Sequence, residues 1–92
     1  MRIISGKYRG AKLYSPEDNR VRPTTDRIKE SVFNIICSRL NVYGATVLDL
    51  FSGSGALGLE AYSRGAKKVV FIDNDKDSIR LTKSNIAKLR VP

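Results

Sequence analysis

Val47-Leu48-Asp49-Leu50-Phe51-Ser52-Gly53-Ser54-Gly55-Ala56-Leu57-Gly58 is the stretch that decides the fold. An apolar run of strand character passes into glycines at the spacing G-x-G-x-x-G, and a helical pattern follows at once. Working outward, Thr46 to Leu50 predicts a first parallel strand, and Ala56 to Arg64 predicts the crossover helix, with Gly65 as its stop. Lys68-Val69-Val70-Phe71-Ile72 predicts the second strand, almost continuously apolar because both faces of a parallel sheet are covered. A last helix is predicted from about Lys76 to Leu89, with Asp75 or Asp77 at its start and Ile79, Ile86 and Leu89 on one face. Strand, glycine loop, helix, strand, helix is the order of a βαβ crossover carrying one more helix.

Upstream, residues 1–14 read as a β-hairpin, with Arg2-Ile3-Ile4-Ser5 and Ala11-Lys12-Leu13-Tyr14 flanking Gly6 and Gly10. Ser15-Pro16-Glu17-Asp18-Asn19 has turn chemistry, and Pro23 restricts Arg22 to extended backbone, so a loop is predicted up to Thr24. Behind it, Thr24 or Thr25 can cap a helix in which Ile28, Val32, Phe33, Ile35, Ile36 and Leu40 recur at helical spacing. The chain thus divides into a basic hairpin, loop and helix over residues 1–44, and the first half of a ligand-binding domain over 45–92.

The glycine loop admits two classes of ligand. A dinucleotide would set its pyrophosphate on the helix N-terminus. Asp49, four residues before the first glycine, would face the same crevice and repel that pyrophosphate. It suits a cationic ligand instead, and the amino-acid portion of S-adenosylmethionine offers an ammonium. Asp73, at the end of the second strand and eighteen residues past Gly55, has the spacing of a carboxylate that accepts from ribose hydroxyls, which either ligand carries. Asn74 is placed to line an adenine pocket, and Asp75 to cap the last helix.

Composition narrows the partners. Seventeen Lys and Arg against nine Asp and Glu give a net charge of +8, which favours a polyanion. Arg2, Lys7, Arg9, Lys12, Arg20 and Arg22 all precede the first convincing helix. Cys37 is the one cysteine and there is no histidine, which excludes a disulfide framework and a histidine-containing metal site. Without a signal-peptide pattern or a run of roughly 20 apolar residues, the chain reads as cytoplasmic, with no membrane contact.

Three segments carry a family resemblance: Met1 to Tyr14, Arg22-Pro23-Thr24-Thr25-Asp26-Arg27-Ile28-Lys29-Glu30-Ser31-Val32-Phe33-Asn34, and Leu48 to Ala61. Together they resemble the bacterial 16S rRNA (guanine-N2)-methyltransferases across essentially the whole chain. The resemblance implies an α/β chain with a partial Rossmann-like S-adenosylmethionine methyltransferase fold, preceded by a β-hairpin and a helix. It implies methyl transfer from S-adenosylmethionine to the N2 amino group of a guanine in 16S rRNA, as naked RNA or in an assembling small ribosomal subunit. It implies that the loop around Asp49, Gly53 and Gly55 holds the methionine and ribose portions and that Asp73 binds the ribose hydroxyls, and Phe51, Ser52, Gly58 and Asn74 complete the expected cofactor-binding set. Arg22, Thr24 and Arg27, with Arg2, Lys7, Arg9 and Lys12, are the candidates for steering RNA phosphates.

The family's catalytic signature, Asn or Asp before Pro-Pro and an aromatic residue, does not occur in these 92 residues. No catalytic residue is therefore assigned, and the chain is expected to be a truncated, catalytically incomplete half that self-associates through its open sheet edge. The competing reading is a non-catalytic RNA-binding or ribosome-assembly module that keeps a vestigial cofactor fold.

Overall fold

The structure is a computed structural model that describes residues 1–14, 22–50 and 53–89, the side chains of residues 22–25 excepted. Its elements run α1 (Arg22–Arg39), β1 (Thr46–Leu50), α2 (Ala56–Ser63), β2 (Lys68–Ile72) and α3 (Lys76–Lys88). β1 and β2 pair in parallel, with Thr46 opposite Lys68 and Leu50 opposite Ile72. The βαβ unit and its appended helix thus stand where the sequence predicts them. Local signals explain the agreement. Gly65 takes φ +109° behind α2, and Asp75 caps α3 by accepting from the Ser78 amide at 3.0 Å.

Two upstream expectations change. α1 begins at Arg22, so the predicted loop does not reach Thr24. Pro23 stands in the first turn, where a missing N–H leaves no helical bond unmade. The hairpin shrinks to one antiparallel bridge between Arg2 and Lys12, supported by the Ile3 amide on the Ala11 carbonyl at 2.9 Å and the Leu13 amide on the Met1 carbonyl at 2.8 Å. The ladder stops there because α2 takes the next donors. Ile4 and Ser5 give their amides to the Glu60 carboxylate at 2.9 and 3.1 Å, Lys7 gives its amide to the Ser63 carbonyl at 2.8 Å, and Tyr8 to the Ser63 hydroxyl at 2.9 Å.

Ile3 and Leu13 of this amino-terminal loop are buried together with Ala56, Leu59 and Leu89, and a second cluster joins Phe33 of α1 to Ala61 and Ala66. α1 turns Lys29 and Phe33 inward, whereas Ile28, Val32 and Ile35 lie exposed. Lys29 is buried because its ammonium meets Glu60 at 3.3 Å and donates to the Arg2 carbonyl. One face of the sheet, Leu48, Leu50, Val70 and Ile72, is also exposed. No helix among the described residues is long and apolar enough to cross a membrane.

Candidate cofactor-binding site

Parallel strands present their carboxyl ends to a crevice where ligands of open α/β folds bind. Here that end carries Asp49 at the penultimate position of β1 and Asp73 directly after β2. The glycine loop runs between them. Gly55 is the N-cap of α2 at φ +82°, a left-handed conformation that glycine adopts without steric cost. A β-carbon there would also lie 3.0 Å from Thr82 Cγ2 of α3, so conformation and packing both select glycine.

A glycine cap has no side chain to accept the first free amides of its helix. Asp49 supplies that acceptor from β1: its Oδ2 takes the Gly58 N–H at 3.0 Å, in the first turn of α2. The carboxylate is buried, 7% exposed. Burial raises its pKa above the usual 3.8, the Gly58 hydrogen bond works the other way, and the negative charge of Asp73 adds to the rise. Asp73 behaves oppositely. Its Oδ1 accepts from the Asp75 amide at 2.9 Å and its Oδ2 from the Gly53 amide at 3.0 Å, and these two bonds lower its pKa from 3.8. The loop is therefore hung between two carboxylates.

The loop's carbonyls are held from the other side. Thr82 donates its hydroxyl to the Gly53 carbonyl at 2.7 Å, and Asn85 donates its amide nitrogen to the Ser54 carbonyl at 2.8 Å. Asn85 is fully buried, accepts the Tyr14 amide at 2.6 Å and donates to the Tyr14 carbonyl at 2.9 Å, tying the amino-terminal loop to the glycine loop. Sequence reasoning missed both residues. Their signal was present: Thr82 and Asn85 are polar positions on the same face of α3 as Ile79 and Ile86, turned toward the core.

Among the expected cofactor residues, Asp49, Gly53, Gly55 and Asp73 are brought together, and Asn74 is exposed beside them. Gly58 is directed at the sheet, where an added β-carbon would lie 2.4 Å from Phe71 Cε1 and 2.8 Å from Val69 Cγ1. Phe51 and Ser52 lie outside the described residues, as do the side chains of Arg22 and Thr24. Arg2, Lys7, Arg9, Lys12 and Arg27 are all exposed, with Arg2 directly opposite Lys12 on the bridge. Tyr8 packs against the core and stacks on Tyr62, ring centroids 6.3 Å apart, while Tyr14 is exposed with the Lys88 ammonium 4.4 Å from its ring centre.

Comparison with known proteins bears on the whole of this arrangement. The chain is 45% identical over 91 residues to YlbH of Bacillus subtilis (strain 168), covering 99% of itself and 48% of that protein. It is 43% identical over 90 residues to ribosomal RNA small subunit methyltransferase D of Escherichia coli (strain K12), covering 98% of itself and 44% of that protein. Among solved structures it is similar to yhhF from Escherichia coli, with a TM-score of 0.83 at 43% identity over 99% of this chain and 48% of that one. The chain thus spans a little under half the length of the curated relatives it matches. The fold is a partial Rossmann-like methyltransferase fold. Residues 1–92 match in full the family described as Conserved hypothetical protein 95, and the chain belongs to that family.

Proposed function

We propose that this chain is the cofactor-binding half of an S-adenosylmethionine-dependent methyltransferase acting on the N2 amino group of a guanine in 16S rRNA. The observation that carries the reading is the pair Asp49 and Asp73 on neighbouring strand ends with the glycine loop between them. Two carboxylates oppose a pyrophosphate and attract a ligand bearing an ammonium and a sulfonium. Similarity to a ribosomal RNA small subunit methyltransferase over nearly the whole chain supports the same choice.

The donor set fits such a cofactor. A carboxylate has about four lone-pair sites, and Asp73 uses two on backbone amides, leaving capacity for ribose hydroxyls. Asp49 faces the amino-acid portion, with Gly53 and Gly55 keeping the loop backbone free of side chains, and Phe51, Ser52 and Asn74 complete the proposed set, while Gly58 serves the site indirectly, by seating α2 on the sheet and holding Asp49 through its amide. When bound, the cofactor supplies an electrophilic methyl group. The residues of this chain hold and orient it, and none is assigned to the target amine. Residues 1–44 form the RNA-facing extension, in which Arg2, Lys7, Arg9, Lys12, Arg22, Thr24 and Arg27 meet phosphates. The exposed apolar sheet face supports self-association of the isolated chain, read by light scattering at rising concentration.

Amide NMR shifts during titration test the cofactor assignment, because they register weak binding. S-adenosylmethionine should move the signals of Gly53, Gly55 and Gly58 saturably, and NAD should not. Saturable shifts with NAD alone would overturn the assignment.

A further inference from the structure

The amino-terminal loop and α1 enclose a cleft that the cofactor reading leaves unused. Its volume is about 440 Å³, within the range of small-ligand sites, and none of its lining residues belongs to the glycine loop, β1 or β2. Arg2, Arg9 and Arg27 line it together with Asp26, Glu30 and the apolar Ile4. Asp26 is engaged, its Oδ1 accepting the Arg2 amide at 3.2 Å. Arg9, Arg27 and Glu30 are exposed, and no ion pair joins them among the described residues.

Three guanidinium groups call for an anion, yet a carboxylate beside them repels a bare phosphate. A ligand that satisfies both is anionic at one end and rich in adjacent donors at the other. Guanosine is the nucleotide with this character. Its Watson–Crick edge presents N1–H and the N2 amino group side by side, matching the two oxygens of one carboxylate. Adenine and cytosine place an acceptor next to their amino group, and uracil flanks its single N–H with carbonyls.

We infer that this cleft holds one unpaired guanosine of the RNA, separate from the base that receives the methyl group. Glu30 accepts from its Watson–Crick edge, and Arg9 with Arg2 or Arg27 takes its phosphate or stacks on the base. The inference rests on the reading that the chain binds RNA, and it names the sequence feature by which RNA is anchored.

Fluorescence anisotropy with seven-nucleotide uridine-rich RNAs carrying one central guanosine, inosine or adenosine tests it. The guanosine RNA should bind about tenfold more tightly than the adenosine RNA, with inosine, which lacks the N2 amino group, in between. Glu30→Gln should abolish the guanosine preference and leave affinity for the adenosine RNA unchanged. Arg9→Ala should weaken all three equally. Glu30 is exposed, and an unaltered thermal melt of the Gln variant confirms its fold. Equal wild-type binding of the guanosine and adenosine RNAs, or a preference that survives Glu30→Gln, would overturn the cleft assignment alone. Failure to bind any RNA at low salt would overturn the RNA reading with it.

Discussion

Asp49 and Gly58 are joined by a 3.0 Å hydrogen bond that makes a buried strand carboxylate the cap of the next helix. The bond gives Asp49 a structural duty, to hold α2, beside the proposed one of meeting the cofactor, and substitution separates them. Asparagine keeps the acceptor and removes the charge. Because the folded-state pKa of Asp49 is raised, the charged form is disfavoured by folding, and its share of stability falls as pH rises above 3.8. Asp49→Asn should therefore melt a few degrees above wild type at pH 7, with the gain vanishing below about pH 4, and should bind S-adenosylmethionine about tenfold or more weakly. Asp49→Ala leaves the Gly58 amide unmatched and should lose about 0.5–2 kcal/mol in chemical denaturation.

The two site carboxylates should titrate on opposite sides of 3.8, Asp49 above and Asp73 below. The Asp73 contribution runs with the opposite sign: its stabilisation is complete above 3.8 and is lost as pH falls through its lowered folded-state value. Carboxyl carbon shifts followed by NMR measure both. Asp73→Asn removes the negative charge that raises Asp49, so the Asp49 midpoint should move down. An unmoved midpoint would show that the two are not coupled.

Elements with local signals were legible in the sequence, and long-range polar pairings were not. β1, α2, β2 and α3 follow from apolar runs, glycines and the Asp75 cap, all of which act within a few residues. Of the candidate site, Asp49, Gly53, Gly55 and Asp73 could be named from the sequence because strand ends and glycine spacing mark them, and the structure brings them together. Lys29 was not, since a lysine points inward only when a distant carboxylate awaits it, here Glu60. The shortened hairpin has the same cause: amides that a hairpin would pair go to Glu60 and Ser63. Asn85 and Thr82 act through loop carbonyls, which no periodicity reveals.

Glu60 is fully buried and accepts from Ile4, Ser5, Lys29 and Arg64. Its removal strands a buried ammonium and two amides, so Glu60→Ala should cost about 3–5 kcal/mol in urea titration. That is a large share of a stability of about 5–15 kcal/mol. Adding Lys29→Met to it should recover part of the loss, because the uncompensated charge disappears.

Gly6 and Gly10 both have positive φ, +91° and +85°, but different surroundings. A β-carbon on Gly6 would lie 2.0 Å from the Ser63 carbonyl oxygen, while one on Gly10 meets nothing within 4 Å. Gly10→Ala should therefore cost only backbone strain, about 1–2 kcal/mol. Gly6→Ala should undock the loop from α2, which limited trypsin digestion at Lys7 and Arg9 reports as faster cleavage than in the Gly10 variant.

Asn85 connects the amino-terminal loop to the glycine loop through three hydrogen bonds, so its substitution should disturb stability and, with it, the loop proposed to hold the cofactor. Asn85→Ala leaves the Tyr14 amide, the Tyr14 carbonyl and the Ser54 carbonyl without their partner, at about 1–3 kcal/mol for each group that stays buried and unpaired. Asn85→Asp keeps the acceptor for the Tyr14 amide but sets a carboxylate against two carbonyl oxygens. Desolvation and those dipoles raise the folded-state pKa of the new acid, so its stability relative to wild type should improve as pH falls from 7 to 4, where the protonated acid donates one of the lost bonds. Urea titrations of both variants at the two pH values measure this. The alanine variant should show a deficit nearly independent of pH, and an aspartate deficit equally flat would mean that the Asn85 amide donates to neither carbonyl.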